Sequence, residues 1–119
     1  MDCSMLEKFI SQSINFSKII KRLERTESTF YAYQCVSLYI RFICLKLLED
    51  DYHATKISPT KEIDLAWHNH VLDTKQYYQD CKNICGRFIH HDADGSEHGR
   101  EARIKRTEKL FLECFGYQI

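Results

Sequence analysis

Residues 28–49 read STFYAYQCVSLYIRFICLKLLE. Phe30, Tyr33, Val36, Ile40, Ile43 and Leu47 recur three or four apart along one face, and Tyr31, Cys35, Leu38, Phe42 and Leu45 fill others. A helix that is apolar nearly all round belongs in the middle of a small bundle or under a partner. The stretch therefore predicts a central helix from about Ser28 to Glu49. The acidic run Glu49-Asp50-Asp51 marks its end, because the helix dipole disfavours anions at a C-terminus. Gln34, Arg41 and Lys46 make it wrong for a membrane span.

Outward from this helix the pattern stays helical. Leu6, Phe9, Ile10, Ser13, Phe16, Ile20 and Leu23 predict one amphipathic helix over about residues 4–25. Ser58-Pro59 reads as an N-cap followed by Pro at the first helical position, opening a short third helix that carries Asp64, Leu65, Trp67 and His68. Asp73-Thr74-Lys75-Gln76 has the form of a capping box and opens a fourth helix, with Tyr77, Cys81, Ile84 and Cys85 inside and Gly86 near its end. A polar loop follows from His90. A last helix runs from about Glu97 or Arg100 to Phe115, burying Ile104, Phe111 and Phe115, with Gly116 as its cap. The expectation is an all-α, single-domain bundle of four to five helices spanning residues 1–119.

The chain has 119 residues, with 17 Lys plus Arg against 17 Asp plus Glu. That length suits one domain able to bury a core without metal or disulfides. Balanced charge supplies no global reason to bind nucleic acid or anionic membrane. The start, MDCSMLEKF, lacks the features of a signal peptide. A cytoplasmic location follows as an expectation, and with it six Cys read as thiols or metal ligands rather than disulfides.

The chemistry is concentrated in residues 59–91, PTKEIDLAWHNHVLDTKQYYQDCKNICGRFIHH. Asp64 and His68 are four apart and share a helical face. His68 and His70 point about 200° apart on a continuous helix, so they can share a metal only where the helix ends or bends. The boundary at Asp73 lies close by. With His90 or His91 they would make a three-His site with an open position, suited to zinc first and to iron, nickel or copper as well. Asp64 would be a further ligand or would hold an imidazole tautomer. Against this stands a structural reading, with Asp64 and Asp73 accepting hydrogen bonds from His and Trp67. Cys81, Cys85 and His90 form a second candidate ligand set, and Cys81 could be a nucleophile with a His base. Both compete with plain helix packing. Asp92-x-Asp94-Gly95-x-Glu97 fails as a calcium loop, since positions six and twelve are Glu97 and Arg103.

In this segment the chain resembles the glycine-rich domain-containing protein family. The pattern D-x-x-W-H-x-H-x-L-D-T-x-x-Y-x-x-D-C, then Gly and a His-His pair, falls on Asp64, Trp67, His68, His70, Leu72, Asp73, Thr74, Tyr77, Asp80, Cys81, Gly86, His90 and His91. It covers about residues 59–92. The resemblance implies a helical domain, in a family of unassigned biochemistry, with a His-centred polar or metal site.

Two functions fit. One is a small helical interaction or structural module, working through a protein partner or self-association, in which Trp67, Asp73, Tyr77 and Cys81 belong to a buried polar strut. The other is a metal-dependent enzyme, hydrolytic or oxidative, using His68, His70 and His90, with His91 or Tyr77 contacting substrate. Ring nitrogens directed to separate partners favour the first; convergence on one gap favours the second. Either reading predicts that His68→Ala lowers stability.

Overall fold

The computed structural model describes residues 2–92 and 98–119. Most of the acidic turn Asp92-x-Asp94-Gly95-x-Glu97, and the helix start at Glu97, lie outside these residues. Among the described residues there are six helices: α1 (Cys3–Ser13), α2 (Ser17–Leu23), α3 (Thr29–Leu48), α4 (Lys61–Val71), α5 (Thr74–Cys85) and α6 (Arg100–Phe115). None is long and apolar enough to cross a membrane.

The count exceeds the expected four to five because the first predicted helix is two. Ile14 is extended, at φ −121° and ψ 136°. The Asn15 carboxamide oxygen accepts from the Ser17 N–H at 3.2 Å and from its hydroxyl at 2.6 Å. A short polar side chain that captures a nearby backbone donor competes with the helix ladder. The apolar period hides the break because Ile14 and Phe16 are both buried on either side of it.

Helix α3 is central, in contact with α1, α2, α4 and α6. Ser28 caps it, accepting from the Tyr31 N–H at 3.1 Å. Its burial is uneven. Residues 42–46 are all buried, whereas Phe30 and Tyr33 are exposed near its start. The all-round apolar reading therefore holds for the C-terminal half only.

Helix α4 starts later than the Ser-Pro signal predicts. Thr60 is the N-cap residue, without a side-chain cap bond. Ser58 is used across the fold instead. The Thr107 hydroxyl on α6 donates to the Ser58 carbonyl at 2.7 Å, the Ser58 N–H points at the same hydroxyl at 3.2 Å, and Arg103 Nε donates to the Ser58 hydroxyl at 2.8 Å. Tertiary bonding has overridden a local capping preference. At α5 the Asp73 half of the capping box forms, accepting from the Gln76 N–H at 3.3 Å. The Gln76 side chain donates to Asp80 at 2.9 Å. Gly86 ends α5 at φ 71° with open space where a Cβ would stand. Gly86→Ala is thus expected to cost only the left-handed backbone penalty, about 1–2 kcal/mol, measurable by urea denaturation; a loss below about 0.5 kcal/mol would show that the cap relaxes.

Helix α6 is lightly held. Of its 16 residues only Thr107 and Phe111 are fully buried. A disulfide between Cys3 and Cys114 ties its far end to α1. This corrects the expectation of six thiols or metal ligands: residues 111 apart in sequence are brought to a Cα separation of 5.9 Å by the packing of the first helix on the last.

Candidate functional site

The motif residues divide between two sides of Trp67. On the inner side, His70 is buried between α3 and α5. Its Nδ1 lies 2.7 Å from the Tyr39 hydroxyl and its Nε2 lies 2.8 Å from Asp80 Oδ2. An ionised carboxylate only accepts, so Nε2 carries the proton and Tyr39 donates to Nδ1. Burial pushes the His70 imidazole below its ordinary pKa, against the opposing pull of Asp80. Alongside, the Trp67 indole N–H donates to the Tyr77 hydroxyl at 2.9 Å, which donates to the Ile89 carbonyl at 2.6 Å. Burial raises the Tyr77 phenol and the Cys81 thiol. Cys81 is thus an enclosed thiol whose burial disfavours the thiolate form.

On the outer side lies a small polar cleft of about 90 Å3, walled by Lys46, Pro59, Asp64, Trp67, His91, Asp92, Arg100 and Arg103, among others. His91 Nε2 donates to Asp64 Oδ1 at 2.8 Å, and its ring stands edge-on to Trp67 at 4.4 Å. That bond holds the Asp64 carboxyl below the usual carboxylate range against the effect of burial, helped by the nearby His91, His68 and Arg100 side chains. At the floor, Lys46 is 1% exposed and donates to Asp51 Oδ2 at 2.9 Å. Its ammonium is 5.2 Å from the Trp67 ring centre and 5.4 Å from that of Phe42, within range of a cation–π attraction. Burial lowers the Lys46 pKa despite its carboxylate. Burial also works against the Asp51 charge, but the N–H groups of Ile57 and Thr55 and the Lys46 ammonium outweigh it and hold that carboxyl low.

The expected three-His convergence does not form in this geometry. Helix α4 continues through His68 and His70 to Val71, so the two rings point apart: His68 is exposed and His70 buried. His90 is exposed, its ring stacked on that of His53 with centres 5.5 Å apart. Asp64 and His91 are the two proposed ligands that meet, and they meet each other. Among the described residues no group of three or more His, Cys, Asp or Glu is arranged to hold a metal ion. Asp73 caps α5 and lies 3.5 Å from Arg22, whose guanidinium also donates to the Asn69 carbonyl at 2.7 Å.

Sequence reasoning did not assign Tyr39, Lys46, Asp51, Arg100 or Arg103. Lys46 was visible as a charge inside an apolar run, a pattern that calls for a buried partner. Nothing local connects Tyr39 to His70 or the start of α6 to Asp64.

No family model matches the chain, and no solved structure does. The chain is similar to glycine-rich domain-containing protein 1 of Arabidopsis thaliana, at 26% identity over 94 residues. The matched stretch covers 75% of this chain and 12% of that protein.

Proposed function

We propose that the chain is a small helical binding module, in which the WHxH segment is internal architecture and the cleft beside Trp67 receives a small polar group of a protein partner. One observation carries this reading: both ring nitrogens of His70 are taken up by the fold itself, through Tyr39 and Asp80. The cleft holds about 90 Å3, whereas cofactor and drug-sized ligands occupy pockets of roughly 300–1,000 Å3. It suits one small group, with the rest of the ligand outside. Its wall mixes Lys46, Arg100 and Arg103 with Asp64 and Asp92 beside an indole face, which suits a group that both donates and accepts hydrogen bonds. The alternative of a His-based, metal-dependent enzyme would require His70 to give up Tyr39 or Asp80 to free a ring nitrogen.

The chain has a single Trp, so one indole N–H signal in an NMR titration reports on the cleft. Acetate, acetamide, guanidinium and phosphate serve as probes. A saturable shift of the Trp67 signal with at least one of them, weakened in Arg100→Ala, is the expected result; linear drift with all four would overturn the cleft assignment. The architectural half has its own check. His68 is exposed and its side chain makes no hydrogen bond among the described residues, so His68→Ala should change stability by less than about 0.5 kcal/mol, contrary to the expectation from sequence. Elemental analysis finding about one zinc per chain, lost in His68→Ala or in His70→Ala, would replace the strut with a metal centre.

A further inference from the structure

We infer that the Cys3–Cys114 disulfide is a redox-operated clasp that sets how firmly α6 closes the cleft; its effect on ligand binding rests on the cleft being the working surface. Helix α6 supplies one cleft wall through Arg100 and Arg103. Its polar tethers sit towards its start: Arg103 and Thr107 on Ser58, and Arg106 on Glu49. Two side chains, Thr107 and Phe111, are fully buried for the whole helix. At the far end, Cys114 is joined to Cys3 on α1, and α1 is seated in the core by Leu6 and Ile10. The covalent tie thus lies at the end of α6 that its polar tethers do not reach, where Phe111 and the partly buried Phe115 pack on the core.

The choice of cysteines fits a clasp. Cys35, Cys44 and Cys81 are buried. Burial raises all three thiols, that of Cys44 to about 12. Such thiols carry little thiolate and meet oxidants poorly. Cys85 is partly exposed, with its S–H directed at the carbonyls of Cys81 and Arg87, both at 3.3 Å. Cys3 and Cys114 are the pair that packing places together near the surface, with a Cα separation inside the range a disulfide spans.

The chemistry is thiol–disulfide exchange with a small disulfide such as oxidised glutathione. One protein thiolate attacks a glutathione sulfur, breaking its S–S bond and releasing one glutathione thiolate. The second protein thiolate attacks the protein sulfur of the mixed disulfide and releases the other. The protein dithiol loses two electrons and two protons, and the oxidant becomes two thiols. Excess reduced glutathione runs the sequence backwards. With the clasp open, α6 depends on two fully buried side chains, some partly buried packing and its polar tethers, so it opens locally more often than the core helices, loosening the cleft wall that Arg100 and Arg103 supply.

Hydrogen–deuterium exchange by mass spectrometry on the full chain tests this, in oxidised and in reduced glutathione, with Cys114→Ser as the permanently open form. The expected result is a Cys3–Cys114 linked peptide after oxidation, and exchange over residues 100–115 about ten-fold faster when reduced, with α3 unchanged. Cys114→Ser should match the reduced protein in both buffers. Reduced wild-type protein makes the same comparison without a substitution, should the variant fold poorly. Absence of the linked peptide after oxidation, equal α6 exchange in both states, or acceleration of α3 together with α6 would each overturn the clasp. Failure of the cleft reading shows separately, as absence of a saturable Trp67 shift while α6 exchange still responds to redox state.

Discussion

Lys46→Ala is expected to cost about 3–5 kcal/mol of folding stability, the range for removing one partner of a buried ion pair. The Lys46 side chain is 1% exposed and that of Asp51 is 0% exposed. Without the ammonium, Asp51 keeps the Thr55 and Ile57 N–H groups but loses its counter-charge in a region that water does not reach. The change also leaves a void beneath Trp67 and Phe42, where the lysine stem and ammonium now stand. The net worth of the pair is a separate matter. Desolvating two ions offsets much of their attraction, so replacing both can be nearly neutral. Lys46→Met combined with Asp51→Asn should recover at least half the loss, because Asn keeps an oxygen for the 55–57 N–H groups and Met fills the space. Urea denaturation followed by Trp67 fluorescence measures both variants. A single-variant loss below about 1 kcal/mol would mean that water reaches Asp51 once the lysine is gone.

The second large effect is expected at His70. His70→Ala should destabilise by about 2–4 kcal/mol, since it strands a phenol and a carboxylate that each lose a buried partner. It should also remove a pH dependence. The folded-state pKa of His70 is depressed below 6.5 by burial. Between that lowered value and 6.5 the unfolded chain binds more protons than the folded one, so stability rises with pH. The His70 contribution is therefore complete above pH 6.5 and declines as pH falls from 6.5 towards the folded pKa. Wild-type stability measured from pH 8 to pH 5 should show this decline, and His70→Ala should show less of it. Wild-type stability that increases below pH 6.5 would mean the ring is held protonated by Asp80, and would reverse the assignment.

The contrast between His70 and His68 shows how far the motif could be read. Their spacing predicts that a continuous helix separates them by about 200°. That geometry was available from residue numbers, and the structure realises it. What spacing could not say was whether the helix ended between them. It continues to Val71, with Leu72 at the cap and Asp73 capping the next helix. A metal site built on both rings required the other outcome.

Local sequence determined the helical class, the central place of the helix beginning after Ser28, the Asp73 cap, and the left-handed glycines that end α5 and α6. Each follows from period, capping chemistry or backbone freedom within a few residues. The break at Asn15 had a local cause too, but an uninterrupted apolar period on both sides of it concealed the signal. Only the tertiary structure decided that Ser58 would serve α6, that Tyr39 and Asp80 would occupy His70, that Asp64 would meet His91, and that Cys3 would meet Cys114. Those partners lie 49, 31, 10, 27 and 111 residues apart. Periodicity specifies which face of a helix turns inward; which side chain waits opposite depends on how the helices cross, and that is settled by packing the whole core at once.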